Sequence, residues 1–355
     1  MSRVGISKFI ALPMAEPDYG EMERERINEV VIFNQIGQGP HIAEFEHAWG
    51  EYNKRKYGVA CNSGTSAIHL AVKASGAKKI AIANFTMSGG VWGAVYENAE
   101  ITYLPTRNDL PLSEYDFDVE KFDAVIYAHI YGRKAYPHGW VARLKARNPN
   151  IIVIDDLAEA HGIFPEGDIA CYSFYGNKIL ASGEGGMCLT DDYAVAEEMR
   201  SLANMYFDKG RTMIHPKVGH NYRLTNLQAS IGLAQVERAD FILEKRKRIE
   251  AWYDKHLPDS VKLPEREVLW FYDIKVPNAK KTQHYLKSQG CDSRRFFYPA
   301  SLQSWGNGMP DPVGEKWYYH GLLLPTYNNM VEGDVKWVAE LVKYSISKYK
   351  RPVVI

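Results

Sequence analysis

Cysteine is scarce in this sequence, with four residues among 355, and none of them belongs to a C-x-x-C pair. Three of the four, Cys61, Cys171 and Cys188, lie within apolar runs that predict strands. We interpret them as buried, reduced thiols of a cytoplasmic protein. This argues against both a disulfide framework and a cysteine-ligated zinc site.

An excess of charge of either sign is also missing, because 43 Lys and Arg balance 43 Asp and Glu. The composition therefore gives no electrostatic reason to expect nucleic acid or an anionic membrane as a partner. The longest uncharged run, Ile80–Tyr96, is too short and too polar to span a bilayer. Pro13 and Glu16 come too early for a signal peptide.

Short β-branched runs alternate with helix-like segments through most of the chain. The runs are Ile80–Ala83, Ile101–Leu104, Ala124–His129 and Ile151–Asp155. This alternation predicts an α/β protein with a mostly parallel, doubly wound sheet. The pattern changes after about residue 256, so we expect a large domain over residues 1–250 and a small α+β domain over residues 251–355.

Helical periodicity predicts several of the connecting helices. The N-terminal part has two, over Tyr19–Phe33 and Ile42–Tyr52. A single long helix is expected over Leu224–Trp252, with Leu227, Ile231 and Ala234 on its apolar face.

A single lysine, Lys178, lies in a glycine-rich segment between two apolar runs, Asp168–Phe174 and Met187–Thr190. The pattern predicts a strand, an exposed loop and a second strand. Loop lysines are usually solvated charges. A desolvated amine loses its proton more readily, however, so Lys178 is also a candidate nucleophile that forms a Schiff base.

The predicted strand Tyr57–Cys61 runs into a turn of small residues, Asn62–Ser66, and then into an apolar helix. Such a unit can cradle a phosphate, because the free N–H groups of the first helical turn and the helix dipole attract anions. A plain helix cap by Ser63 or Ser66 explains the same residues equally well.

Asp155 and Asp156 stand at the carboxyl end of a predicted strand, where parallel sheets bind their ligands. Such a pair can bind a metal ion, cap the next segment or bond to a cationic ring nitrogen. His161 is the one further ligand type nearby, so we expect no metal site here.

Six separate motifs, in order, resemble those of the nucleotide-sugar aminotransferases of the DegT/DnrJ/StrS group, which depend on pyridoxal 5'-phosphate (PLP). They are NSGTSAIHLA at Asn62–Ala71, DDLAEAHG at Asp155–Gly162, GDIACYSFYGNKILASGEGG at Gly167–Gly186, GHNYRLTNLQASIGLAQVE at Gly219–Glu237, SRRFFYP at Ser293–Pro299 and GLLLPT at Gly321–Thr326. The resemblance covers the chain from about Gly39 to the last helix.

The resemblance implies a fold-type I aminotransferase. Its large domain has a mainly parallel seven-stranded sheet with helices on both faces, and a homodimer shares its active sites. By motif position, Lys178 binds PLP and Asp156 pairs with its ring nitrogen. The other cofactor-binding residues implied are Gly64, Thr65, Ser66 and Ser173 at the phosphate, Asn221 at the phosphate of the partner's cofactor, and Met87 and Glu159 beside the ring.

The implied reaction moves an amino group from glutamate to a nucleotide-linked keto sugar, as in O-antigen or other polysaccharide biosynthesis. Related 3-dehydratases carry histidine at the lysine position, so Lys178 favours amino transfer. The GNKI…GEGGM segment and Glu159 are most similar to the GDP-perosamine synthase branch, which implies a GDP-linked 4-keto-6-deoxy sugar. The alternatives are a sugar dehydratase and a non-catalytic sensor or assembly protein on the same fold.

The sequence departs from the family pattern at the position of the aromatic residue that stacks on the cofactor. That position holds Met87, whose thioether packs on a ring less strongly. Trp92, one helical turn later, is a candidate substitute. His129 and Tyr131 lie near the expected site and either hydrogen-bond within the protein or contact the substrate.

Overall fold

Seven strands form the main sheet in the computed structural model, which describes residues 12–207 and 212–349. They are β1 (Tyr57–Cys61), β2 (Lys79–Ala83), β3 (Glu100–Leu104), β4 (Ala124–Ala128), β5 (Ile152–Asp156), β6 (Ile169–Ser173) and β7 (Gly186–Thr190). Their order is β1-β7-β6-β5-β4-β2-β3. Strand β7 is antiparallel to β1 and β6, and the other neighbouring pairs are parallel. The predicted mainly parallel sheet is confirmed.

Helices cover both faces of this sheet. Those of the described residues are α1 (Glu21–Ile32), α2 (His41–Tyr52), α3 (Gly64–Ser75), α4 (Gly89–Tyr96), α5 (Trp140–Arg147), α6 (Tyr193–Ala203), α7 (Asn226–Glu237), α8 (Ala239–His256), α9 (Ala279–Ser288), α10 (Pro312–His320) and α11 (Glu332–Lys348). Alternate residues of β6 face opposite sides. Tyr172 packs in a core with α2 and α7, whereas Cys171 packs in a core with α3. Within the part of the chain that is described, no helix has the length and apolar character needed to cross a bilayer.

A second, smaller sheet follows in the C-terminal part of the chain. It comprises β8 (Tyr272–Lys275), β9 (Arg294–Arg295) and β10 (Gly321–Leu324), in the antiparallel order β8-β10-β9. Residues of α8, α9 and α11 share an apolar core with β8 and β10. The smaller α+β unit is therefore present, although the predicted division after residue 250 falls inside α8 and stays a prediction.

Two local predictions are wrong. The long helix predicted over Leu224–Trp252 is interrupted at Arg238, between α7 and α8. The Arg238 guanidinium donates hydrogen bonds to Glu23 Oε1 at 2.7 Å and to the Asp18 carbonyl at 3.0 Å. Such contacts with a distant segment are not encoded in local periodicity. The loop after β6 is also less exposed than predicted, because Ile179–Ser182 is buried.

Candidate active site

A cavity of about 290 Å³ opens at the carboxyl ends of β4, β5 and β6, the edge where parallel sheets bind ligands. It brings together residues that are far apart in the sequence. Seven of the nine predicted site residues line it: Gly64, Thr65, Met87, Asp156, Glu159, Ser173 and Lys178. Ser66 and Asn221 do not.

Lys178 is held in the cavity by a loop that folds back between β6 and β7. Ser182 N donates to the carbonyl of Phe174 at 2.8 Å, and Leu180 N donates to His161 Nδ1 at 3.1 Å. Burial lowers the pKa of His161 to about 3, so its neutral imidazole accepts this bond. The hydrogen bond to His161 therefore helps to hold the loop between β6 and β7 that carries Lys178.

The Lys178 side chain is 11 % exposed. Its Nζ lies 3.9 Å from Glu159 Oε1 and 4.5 Å from the centre of the Trp270 ring. Burial lowers the pKa of Lys178, although the charges of Glu159 and Asp156 oppose the shift. The amine is thus easier to deprotonate than an ordinary lysine, as a nucleophile requires.

The two aspartates at the end of β5 have different surroundings. Asp155 is buried away from the cavity and accepts hydrogen bonds from Tyr136 Oη at 2.7 Å and Gly167 N at 2.8 Å. Asp156 lines the cavity and accepts a bond from Ala158 N at 3.1 Å. Burial raises the pKa of Asp156, partly offset by that bond. Asp156 is the carboxylate available to a ligand, and a cationic ligand group would stabilise its charge.

The first turn of α3 forms another wall of the cavity. Ser63 caps the helix, because its Oγ accepts a bond from Ser66 N at 3.1 Å, and Ser66 Oγ bonds to Asn62 Oδ1 at 2.7 Å. Ser66 is thus engaged in the cap, while Gly64 and Thr65 line the cavity. A Cβ on Gly64 would lie 2.7 Å from Ser173 Cβ. The helix end and Ser173 therefore meet in one cradle, where the helix dipole favours an anion.

Glu159 lies between Lys178 and Tyr131. Its Oε2 accepts a bond from Tyr131 N at 3.2 Å, and Tyr131 adopts a left-handed backbone conformation with φ of 54°. Burial raises the pKa of Glu159 to about 7, although Lys178 opposes the shift. Near neutral pH this carboxyl group is thus part protonated.

His129 and Tyr131 make bonds within the protein. Ala135 N donates to His129 Nδ1 at 3.2 Å, and Phe297 N donates to Tyr131 Oη at 3.0 Å. Their positions are therefore fixed by the fold.

Met87 lines the cavity with 51 % of its surface exposed. Trp92 does not line it, because its ring packs edge-on against Trp305, with 6.3 Å between the ring centres. Trp92 therefore does not replace the missing stacking residue.

Three cavity residues from the C-terminal part escaped the sequence analysis: Trp270, Arg294 and Phe297. Trp270 Nε1 donates to the carbonyl of Asn177 at 2.8 Å, which fixes the residue before Lys178. Arg294 and Phe297 lie in the SRRFFYP motif at Ser293–Pro299, which was the available signal for these two residues. No spacing rule connects these residues with the lysine loop.

Asn221 is exposed and lies outside the cavity of its own chain. Its backbone forms an isolated bridge with Asn204, which follows α6. Its predicted role at the partner's cofactor stays a prediction.

The fold and the cavity define a class of α/β enzymes that bind PLP through a lysine. The residues fit this cofactor: an anion cradle at α3, a carboxylate that a cationic nitrogen would stabilise, and an amine with a lowered pKa. The chain belongs to the DegT/DnrJ/EryC1/StrS aminotransferase family, whose model matches residues 17–343. Lys178 and its neighbours are thus part of a PLP-dependent sugar aminotransferase.

Individual relatives agree with this assignment. The chain is 32% identical to the GDP-perosamine synthase of Caulobacter vibrioides, over 93% of this chain and 97% of that protein. It is 27% identical to the GDP-perosamine synthase of Escherichia coli O157:H7, with the same shares covered. Among solved structures, PseC of Helicobacter pylori, an aminotransferase involved in pseudoaminic acid biosynthesis, matches with a TM-score of 0.86 at 19% identity. The structural match covers 95% of this chain and 99% of PseC.

Proposed function

We propose that this enzyme transfers the amino group of glutamate to a GDP-linked 4-keto-6-deoxy sugar. The observation that carries the proposal is one cavity that combines Lys178, Asp156 and the α3 cradle. The similarity to two GDP-perosamine synthases over nearly the whole chain supports the choice of nucleotide and sugar.

Each group of cavity residues would have a separate role in the proposed reaction. Bound PLP would supply an electron-accepting ring that stabilises negative charge on the substrate carbon bearing the amine. The α3 cradle and Ser173 would hold its phosphate, and Asp156 would keep a proton on its ring nitrogen. Lys178 Nζ would hold the resting cofactor and, once displaced, move the proton to and from that substrate carbon.

Arg294 supplies positive charge on the substrate side. It is exposed, lines the cavity and lies close enough to Lys178 and Glu159 to act on their charges. A guanidinium there suits the carboxylates of glutamate in one half of the reaction and a nucleotide phosphate in the other.

We propose a cytoplasmic homodimer with shared active sites. Asn221 is exposed and does not line the cavity of its own chain, so a ligand contact by Asn221 requires a second subunit. The end of α1 also carries exposed apolar side chains, among them Ile32 (71 %) and Phe33 (64 %). Such a patch is typical of an interface.

The test is a panel of GDP-, UDP- and TDP-linked keto sugars offered with glutamate, with mass detection of the products. We expect an amino sugar and 2-oxoglutarate from the GDP-linked 4-keto-6-deoxy sugar. A deoxygenated keto sugar and free ammonia in place of the amino sugar, formed as glutamate is converted to 2-oxoglutarate, would instead establish a dehydratase. A protein that fails to bind PLP would point to the non-catalytic alternative.

A further inference from the structure

Helices α3 and α4 pack closely against each other, and the contact extends beyond the residues that line the cavity. Gly93 of α4 permits this, because a Cβ there would lie 2.9 Å from His69 Cα on α3. The approach brings Glu97, directly after α4, to His69. Glu97 Oε1 lies 2.9 Å from His69 Nε2.

A third side chain, His220, joins this pair from the segment before α7. Its backbone is fixed to the end of α6, since His220 N donates to the Leu202 carbonyl at 2.7 Å. The rings of His220 and His69 have centres 4.7 Å apart. His220 Nε2 is buried and has no hydrogen-bond partner within residues 12–207 and 212–349. An unsatisfied buried nitrogen calls for an explanation.

We propose that His69, Glu97 and His220 bind a divalent transition-metal ion such as Zn²⁺. One ligand atom from each side chain lies within 4.8 Å of the other two. Zinc is bound by histidine nitrogens and carboxylate oxygens at about 2.0–2.2 Å, which places tetrahedral ligands about 3.3 Å apart. Small side-chain movements would bring the three ligand atoms to this separation, and a water molecule would occupy the fourth coordination position of the metal.

A neighbouring hydroxyl group supports this arrangement. Tyr222 Oη lies 3.0 Å from His69 Nδ1, the nitrogen that points away from Glu97. When His69 Nε2 binds a metal, Nδ1–H can donate to that oxygen. Metal-binding histidines are usually oriented by such a second hydrogen bond.

Lys73 takes the place of the ion when no metal is bound. Its Nζ lies 2.7 Å from Glu97 Oε1 and compensates the charge of that carboxylate. The Lys73 side chain is 28 % exposed, so it can turn into solvent at little cost when a metal arrives.

The site is separate from the catalytic cavity, because none of its three ligands lines that cavity. An ion there would tie α3, the end of α4 and the residue before Asn221 together. No sequence pattern predicts this site, because the three residues are far apart in the chain and come together only through the packing of α3 against α4 and α6.

The proposal is tested on the full-length enzyme with its cofactor bound, after dialysis against EDTA. We expect calorimetric titration with ZnCl₂ to show one ion per chain. Co²⁺ in its place should give the strong visible absorption of a tetrahedral site. His220→Ala should weaken binding about 100-fold or more, because even a residue that only orients a ligand contributes 10–100-fold.

Two further variants keep the test decisive if His220→Ala folds poorly. Lys73→Met removes the competing ammonium group and should tighten Zn²⁺ binding about tenfold, which a damaged fold would not do. His47→Ala is the matched control, because His47 pairs with Glu51 on an exposed helix surface at 3.6 Å and should not matter. Binding that is unchanged in both His220→Ala and Lys73→Met, or is lost in His47→Ala, would overturn the proposal.

Discussion

Lys178 and Glu159 are both largely buried in the wall of the cavity, and each affects the protonation of the other. Burial favours the neutral form of both groups, while their mutual attraction favours the charged form. Burial prevails for both. The pKa of Lys178 is therefore lowered and that of Glu159 is raised, which suits the proposed role of Lys178 as a nucleophile and proton carrier.

The first prediction concerns Lys178. Replacing it by alanine should lower kcat for amino transfer about 10²–10⁴-fold, because the group that moves the proton is lost. The visible absorbance of lysine-bound PLP should disappear as well. Lys121→Ala, at an exposed lysine that pairs with Asp118, is the control and should behave as the wild type. Full activity of Lys178→Ala would refute the assigned role.

The second prediction is a pH dependence of stability that originates in Glu159. Its pKa is raised from 4.5 to about 7 in the folded protein. Between these values the folded state keeps a proton that the unfolded state has lost, so the free energy of unfolding falls as pH rises from 4.5 to 7. This contribution is about 1–3 kcal/mol.

Glu159→Gln removes this titration. Urea unfolding of the cofactor-free protein at pH 5 and pH 7 should therefore show a smaller loss of stability in the variant than in the wild type. Parallel pH profiles for the two proteins would show that Glu159 does not keep its proton in the folded state.

At the scale of elements, the beginning of α4 sets the position of Asp156. A Cβ on Gly90 would lie 2.8 Å from Asp156 Oδ2, which is closer than Cβ atoms come to other atoms, and 3.2 Å from Thr86 Oγ1, which is a tight contact. The absence of a side chain at Gly90 thus leaves room for the carboxylate that is expected to face the cofactor.

The third prediction follows from this contact. Gly90→Ala should displace Asp156 and weaken PLP binding about tenfold or more, as measured by spectrophotometric titration. Gly37→Ala is the matched control, since a Cβ there meets nothing within 4 Å. Equal PLP affinity in the two variants would mean that the Asp156 carboxylate does not need this space.

The local sequence predicted those strands and helices whose formation depends on the residues of the segment itself. The strands with continuous apolar runs, such as β4 and β5, were found because both of their faces are buried. Helix α4 was missed, since its three glycines disfavour a helix and only close packing against α3 compensates for them. The interruption at Arg238 depends on Asp18 and Glu23, more than 200 residues away.

The same distinction applies to the site. Lys178, Asp156 and Gly64 belong to contiguous motifs and were predicted from them. Trp270 and Arg294 reach the cavity only because the smaller sheet packs beside the main one. The segment around Trp270 carries no motif, and the SRRFFYP motif that contains Arg294 does not by itself say which residues face the cavity.

At the scale of the whole molecule, the fourth prediction concerns subunit association. The double substitution Ile32→Asp and Phe33→Asp should convert a dimer to monomers, because it places two charges in an exposed apolar patch. Light scattering after size-exclusion chromatography measures this. Activity should fall with the dimer fraction if Asn221 serves the partner's site.

Val331→Asp is the control for that experiment. Val331 is also an exposed apolar residue, at 59 %, but it belongs to the start of α11 and not to the end of α1. An active monomer in the double variant would separate catalysis from association and contradict the shared-site proposal.

The cysteines have a practical consequence for the study of this enzyme. All four are free and buried, and Cys171 and Cys188 lie directly opposite each other on β6 and β7. Burial raises the pKa of Cys61, Cys171 and Cys291, which suppresses the reactive thiolate. A thiol-labelling reagent should therefore react only as fast as the protein opens. The rate at which Cys171 and Cys188 are modified would therefore report how often β6 and β7, the two strands that flank the Lys178 loop, separate.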